Sequence, residues 1–226
     1  MTSSLAALTP ARDRCLPVDE TFAHLLPDGG LRRGWVVGCT GPAALSVALA
    51  LVARPATVGS WMAAVGVPML GVEAAGEFGV PLARLVRVDT TGRADEWAER
   101  VAAAADGFDI VITHPPADAE RAARRVRTRL QARGAVLIAI GPTSTGLSCD
   151  VAFGTSAPVW HGLGQGSGHL IARRVTVTAG GRRLPRPAER ELWLPGPDGR
   201  VSFADRGPVG AARSDDHGGT VATRVG

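Results

Sequence analysis

The feature that most limits the possible folds is an alternation, between residues 35 and 140, of short apolar runs and longer segments with helical periodicity. The runs carry few charges, as expected for strands that are covered on both faces. Such an alternation predicts a mostly parallel sheet with helices on both faces, so the expected fold class is α/β. The predicted strands are residues 35–37, 61–65, 85–88, 109–113 and 135–140.

Four segments between these strands have the pattern of amphipathic helices. In residues 43–53 apolar side chains recur at i, i+3, i+4 and i+7, beginning with Leu45. The other predicted helices are residues 70–78, 93–106 and 117–133. The last of these places alanines, Val126 and Leu130 on one face and arginines on the remainder.

The pattern changes after residue 150, where β-like stretches are separated by Gly and Pro turns. We expect residues 151–204 to add antiparallel strands to the sheet of a core formed by residues 25–150, within the same domain. Residues 1–24 are polar and mixed, and we expect them to be loose. Residues 205–226 contain few large apolar groups, which predicts a disordered tail.

Composition narrows the function only slightly. All 25 basic residues are arginine, and the net charge of +4 permits a nucleic-acid or acidic partner without selecting one. Three scattered cysteines without C-x-x-C spacing, and an N-terminus without a basic start, favour a cytoplasmic protein. The uncharged stretch 34–53 is interrupted by Gly41-Pro42 and rich in alanine, so we expect no membrane span there.

The stretch GCTGPAALS, residues 38–46, follows an apolar run and precedes a helix, which is the layout of a phosphate-binding loop. Laid over G-x-x-x-x-G-K-[ST] from Gly41, however, Ser46 replaces the second glycine, Val47 the lysine and Ala48 the hydroxyl residue. No basic residue lies between Arg33 and Arg54. The stretch is therefore interpreted as a vestigial loop that serves packing.

The acid that would hold Mg²⁺ at the end of a neighbouring strand is also missing. His114 follows the run Asp109–Thr113 where such an acid would stand, and Asp109 is at the opposite end of that strand. The five histidines have no metal-ligand spacing. We therefore expect a protein that is not an enzyme and binds no cofactor and no metal.

Two groups of arginines and tryptophans are candidate partner or DNA surfaces. The helix 117–133 is either the solvated outer face of a sheet-covering helix or an arginine surface for DNA or an acidic protein. The tryptophans of the β-like region either cap the core or form a stacking platform with nearby arginines. The candidate surface residues are Arg121, Arg125, Arg129, Trp160, Arg173, Arg174 and Trp193.

Several stretches in order resemble the RecA-like ImuA family, in particular its actinobacterial ImuA-prime branch. They are LPDGGLRRGWVVGCTGP, WMAAVGVPMLGVEAAGEFGVPLARLVRV, GFDIVITHPP, GAVLIAIG, ARRVTV and LWLPGPDG, and they cover about residues 25–203. The resemblance implies a RecA-like core. Both segments where RecA proteins contact single-stranded DNA are short here, after Thr113 and in residues 141–150, so no DNA-contact or catalytic residue of RecA carries over.

The resemblance implies an accessory protein of damage-induced mutagenesis. Its implied partners are an ImuB-like relative of Y-family polymerases and an error-prone replicative-type polymerase, which act together in translesion synthesis. RecA and single-stranded DNA are further candidate partners. Two other functions remain open from the sequence: a single-stranded DNA-binding module, and a cell-division inhibitor of the SulA type, which shares a truncated RecA-like core.

Overall fold

The computed structural model describes residues 14–141, 147–163 and 168–204. The expected tail, residues 205–226, and the first 13 residues of the segment expected to be loose lie outside the described residues. The shortened segment 141–150 is described only at its two ends.

Nine strands form one sheet, and two short strands form a separate antiparallel pair. The pair consists of β1 (Cys15–Pro17) and β2 (Gly30–Arg32). The strands of the large sheet are β3 (Val36–Thr40), β4 (Met62–Val65), β5 (Leu85–Val88), β6 (Ile110–Thr113), β7 (Val136–Ile140), β8 (Val151–Leu163), β9 (Gly168–Gly180), β10 (Ala188–Trp193) and β11 (Ser202–Phe203). The helices are α1 (Glu20–Ala23), α2 (Ala44–Thr57), α3 (Val72–Glu77), α4 (Ala94–Gly107) and α5 (Glu120–Arg133), with a 3-10 turn at Leu82–Arg84.

The large sheet has the order β11-β10-β9-β8-β3-β7-β6-β4-β5. The six strands from β5 to β8 are parallel, and β8 to β11 are antiparallel. The predicted α/β class and the C-terminal antiparallel strands are therefore confirmed. In the part of the chain that the structure describes, no helix is long and apolar enough to cross a membrane.

The helices cover the two faces of the sheet and divide the buried side chains into two clusters. Helices α1, α2 and α3 pack on one face, which we call the α2 face, together with Val175, Val177 and Leu192 of the antiparallel strands. Helices α4 and α5 pack on the other face, which we call the α5 face, where Trp97 and Leu130 are fully buried. Helices that connect consecutive parallel strands are expected to pack their apolar side chains against the faces of the sheet in this way.

Two boundaries differ from the sequence prediction at the first strand and helix. Residues 38–40 belong to β3 rather than to a turn, because Gly38 provides space for Cys149: a Cβ at Gly38 would lie 2.7 Å from the Cys149 sulfur. Helix α2 continues to Thr57 and contains Pro55, beyond the predicted end at residue 53. Proline is tolerated there because it lies in the last turn, where it removes a single helical hydrogen bond.

The end of the segment expected to be loose is ordered. Asp19 caps α1 by accepting a hydrogen bond from the backbone nitrogen of Thr21 at 2.9 Å. The Phe22 ring is fully buried and packs edge-on against Phe153 of β8, with ring centroids 5.9 Å apart. Apolar side chains within a polar sequence thus attach residues 14–24 to the α2 face.

Candidate functional site

The turn between β3 and α2 is filled by a side chain from β8. Thr155 Oγ1 accepts a hydrogen bond from the backbone nitrogen of Ala43 at 3.0 Å and donates one to the carbonyl oxygen of Thr40 at 2.9 Å. Gly41 has a φ of 88°, and a Cβ at this position would collide with the Thr155 carbonyl oxygen. In a phosphate-binding loop such a backbone amide points to the anion. Here it points to a hydroxyl of the same chain.

The three positions after this turn, residues 46–48, carry neither the second glycine nor the lysine of a phosphate-binding loop. Val47 and Ala48 are fully buried in the cluster on the α2 face. Ser46, in the first turn of α2, accepts a hydrogen bond at 2.6 Å through its hydroxyl from Nη2 of Arg173 in β9. Arg173 brings a positive charge to this corner from 127 residues away.

Arg173 is buried and is bonded to neutral groups. Its Nε donates to the Leu194 carbonyl oxygen at 2.9 Å, and its guanidinium carbon lies 4.9 Å from the centre of the Trp160 ring. Burial lowers the pKa of Arg173. Within the described residues no carboxylate forms an ion pair with it. Sequence analysis named Arg173 as a surface residue, and the structure instead places it as the link between β9, β10 and α2.

A cavity of about 350 Å³ lies at the carboxyl ends of β4, β5 and β6. It is lined by residues 66–68, by residues 89–92, and by His114 and Pro116. The connection after β4 leads to the α2 face and the connection after β6 leads to the α5 face, so this is a point where the winding of the sheet reverses. In open α/β sheets, ligands bind at such points.

His114 occupies the position in this cavity that sequence analysis assigned to the missing acid. Its ring lies close to the end of β7, since a Cβ at Gly141 would be 3.3 Å from its Nε2. The preceding Thr113 is fully buried: it accepts a hydrogen bond from Trp97 Nε1 at 2.7 Å and donates one to the Val65 carbonyl oxygen at 2.8 Å. Asp89, the acid of the cavity, is paired with Arg87 at 3.0 Å. No group of three His, Cys, Asp or Glu side chains in the described residues is arranged to hold a metal ion.

The candidate surface residues of the β extension lie on two faces. Trp160 is paired with Arg173 across the strands, and both lie on the α2 face, in phase with Val175. Trp193 stands between Leu192 and Leu194, which face α2, so its own ring is on the α5 face, 4.8 Å from His161. Trp160 is 44% exposed, whereas Trp193 is buried and its Nε1 has no hydrogen-bond partner among the described residues.

Three of the six arginines of α5 pair with acids of α4. Arg125 pairs with Asp95 at 3.1 Å, and Arg129 pairs with Asp106, which Arg133 also contacts. Arg121 is exposed, without an ion pair in the described part of the chain. Because α5 lies on the face opposite Trp160 and Arg173, the structure separates these two residues from the arginines of α5.

Asp150, which directly precedes β8, is the most connected acid of the described chain. It accepts hydrogen bonds from the Val36 backbone nitrogen and from Arg127, each at 3.0 Å, and pairs with Arg182. Burial by itself raises the pKa of Asp150, but these donors outweigh it and hold that pKa below its usual value. The pKa of the neighbouring Cys149 is raised, chiefly by burial, so its thiol is not activated.

The fold and this corner define an α/β protein whose strand–turn–helix junction is occupied by its own side chains. A family model described as the MT3502 N-terminal domain matches residues 24–145. The match covers more than half of the chain, and the chain belongs to this family. It includes β3 to β7 and ends before the antiparallel strands β8 to β11. The chain matches no curated protein.

Proposed function

We propose that this protein is a non-catalytic adaptor with a RecA-like core that acts in a damage-induced translesion synthesis complex in the cytoplasm. Its partner is an ImuB-like relative of Y-family polymerases, which brings an error-prone replicative-type polymerase into the complex. The sequence resemblance to the ImuA-prime branch supports the identity of the complex. The geometry of the β3–α2 corner supports the absence of catalysis.

The observation that carries the proposal is the hydrogen bond from the Ala43 amide to Thr155 Oγ1 at 3.0 Å. An ATPase needs the amides of this turn, a nearby cation and a metal-binding hydroxyl for the phosphates. Here the Ala43 amide is bonded to Thr155, and Val47 and Ala48 stand at the lysine and hydroxyl positions. The chain contains no lysine. His114 at the end of β6 supplies no carboxylate for Mg²⁺.

The strand order supports a RecA-like core. Strand β7 lies between β3 and β6, so the corner after β3 and the end of β6 point to the same edge of the sheet, one strand apart. This is the arrangement that a nucleotide site with a separate metal-binding acid requires. The protein retains the arrangement without the required side chains, which favours a scaffold over an enzyme.

The proposal is tested by co-expression with an ImuB-like protein. We expect the two proteins to co-purify, and we expect isothermal titration with ATP and Mg²⁺ to give no binding heat. Recovery of the tagged protein without the partner would contradict the adaptor role. Heat of ATP binding at micromolar affinity would contradict the absence of a nucleotide site.

A single-stranded DNA-binding role is favoured by one observation, the exposed Trp160 ring beside the Arg173 guanidinium. Bases stack on such rings, and binding of this kind weakens steeply with salt. Fluorescence anisotropy with a labelled oligonucleotide at low and high salt tests it. Absence of binding at low salt removes this candidate.

A further inference from the structure

The most exposed part of the β extension is the far end of the β8–β9 hairpin. β3 pairs with β8 only at residues 151–154, and β10 pairs with β9 only at residues 174–179. Beyond these points, among the described residues, the two strands pair with each other, except that Arg173 also exchanges backbone hydrogen bonds with Leu194 and Pro195. We call residues 156–162 and 168–174 the arm. Two-stranded ribbons without further neighbours are marginally stable in water, so a partner that covers the arm would stabilise it.

The arm exposes apolar side chains on both of its faces. Trp160, on the α2 face opposite Arg173, is 44% exposed, and Val159, on the α5 face opposite Arg174, is 43% exposed. Leu170 and Ile171, which are 48% and 46% exposed, follow in the part of β9 where the pairing with β8 is irregular. Single exposed apolar residues are ordinary, but four within one short ribbon form a patch typical of an interaction site.

The root of the arm is held rigidly. Leu194 donates its backbone N–H to the Arg173 carbonyl oxygen at 2.7 Å, and Arg173 donates its own to the Pro195 carbonyl oxygen at 2.9 Å. The Arg173 side chain reaches Ser46 of α2. A bulge between Ser156 and Val159 redirects β8 just beyond the last residue that β3 contacts. The arm therefore starts from a fixed position, which lowers the entropic cost of binding.

The charge of the arm is entirely basic. Residues 151–188 contain no Asp and no Glu, whereas residues 156–174 contain two histidines and two arginines. The nearest acid to Arg174 is Glu191, at 3.8 Å in an exposed pair, and such pairs contribute little. A partner surface with carboxylates would therefore be complementary to the arm.

We propose that the arm inserts into an acidic, apolar cleft of the partner protein, which contacts both faces of the ribbon. Aliphatic side chains favour a protein over a nucleic acid, because Val159, Leu170 and Ile171 offer no ring for base stacking. The inference rests on the proposed adaptor function and names the surface that carries it. The arm lies outside residues 24–145, the part shared with the family model.

The test measures binding of the ImuB-like protein to the full chain and to two arm variants by biolayer interferometry. Trp160→Ala removes the anchor on the α2 face, and Leu170→Ser removes a second exposed apolar side chain of the arm. We expect Kd to rise at least tenfold for Trp160→Ala, as for a buried aromatic anchor, and severalfold for Leu170→Ser. We also expect weaker binding at high salt.

The chain offers matched controls at the other end of the sheet. Trp61 is 47% exposed and lies beside the Arg84 guanidinium at 5.9 Å, much as Trp160 lies beside Arg173. Leu82 is 43% exposed. We expect Trp61→Ala and Leu82→Ser to bind within twofold of the wild type. Unfolding temperatures for all four variants show whether the fold is retained.

The outcomes distinguish an error in the arm assignment from an error in the proposed adaptor function. If the wild type binds and the arm variants bind equally well, the arm assignment is wrong and the adaptor function stands. If the wild-type protein does not bind the ImuB-like protein, both the arm assignment and the adaptor function are wrong. If Trp160→Ala abolishes oligonucleotide binding or dimerisation while leaving the protein partner bound, the arm serves DNA or a second copy of the chain, and the proposed occupant is wrong.

Discussion

Thr155 of β8 and Ala43 of the β3–α2 turn are joined by a hydrogen bond of 3.0 Å across 112 residues. The same hydroxyl donates to Thr40, so the side chain bridges both ends of the turn. The amides of a phosphate-binding loop bond to an anion, whereas here the Ala43 amide bonds to a hydroxyl of the same chain.

Replacing Thr155 with valine tests its structural role. Thr155→Val keeps the size of the side chain but leaves the Ala43 amide and the Thr40 carbonyl oxygen without this partner. We expect a loss of about 1–2 kcal/mol in the free energy of unfolding, measured by urea denaturation. Thr128→Val is the control, because the exposed Thr128 hydroxyl bonds only within its own helix. An equal effect of both substitutions would remove the special role of Thr155.

Asp150 contacts Val36 of β3, Arg127 of α5 and Arg182 after β9, so its substitution should lower the free energy of unfolding. Asp150→Asn removes the buried charge that Arg127 and Arg182 contact. We expect a loss of about 2–4 kcal/mol in the free energy of unfolding, since two guanidinium groups lose their buried counter-charge. Asp89→Asn, at a carboxylate that is 83% exposed, should change stability by less than about 0.5 kcal/mol.

The lowered pKa of Asp150 also predicts a pH dependence. Its folded-state pKa is below its unfolded value, which is about 3.9. The stabilisation is therefore fully present above that unfolded value and is lost as the pH falls through the folded-state pKa. We expect the unfolding free energy of the wild type to fall more steeply than that of Asp150→Asn below about pH 4. Parallel pH profiles would contradict this.

The three cysteines should differ in reactivity. Cys39 is fully buried, and burial strongly raises its pKa. Cys15 and Cys149 are only partly buried, and their pKa values are raised less. We expect iodoacetamide at about pH 8 to label Cys15 and Cys149 before Cys39, with Cys39 reacting only in denaturant. Mass spectrometry of timed samples measures this order, and early labelling of Cys39 would show that β3 opens.

Gly38 is predicted to be required for packing. A methyl group there would lie 2.7 Å from the Cys149 sulfur, and we expect Gly38→Ala to cost about 1–3 kcal/mol of unfolding free energy. The double variant Gly38→Ala/Cys149→Ala should recover part of this loss, because it removes the clashing atom. Gly107→Ala, where no atom lies within 4 Å of the new methyl, is the control and should be neutral or stabilising.

Much of the secondary structure could be predicted because it depends on local periodicity. The run Leu85–Val88 was placed correctly, and the apolar stripe through Val126 and Leu130 predicted the buried face of α5. The error at residues 38–40 has a tertiary cause: glycine usually indicates a turn, but here it makes room for Cys149, more than 100 residues later.

The candidate site was only partly predictable. The sequence showed that Val47 and Ala48 carry neither the cation nor the hydroxyl of a phosphate-binding loop and that His114 carries no carboxylate, since these points depend only on residue type. It did not show that Thr155 closes the turn or that Arg173 reaches Ser46, because both come from strands whose position depends on sheet pairing. A Thr or Arg in a strand carries no local signal of such a contact.

The sequence by itself determined the alternation of strands and helices, the absence of lysine and the basic character of residues 151–188. Only the tertiary structure decided which face of the β extension each residue occupies. One extra residue in β8, at the bulge after Ser156, sets the phase of every later side chain on that strand. Because successive residues of a strand point to opposite faces, this bulge brings Trp160 to Arg173, whereas the pairing of β10 with β9 places Trp193 on the other side.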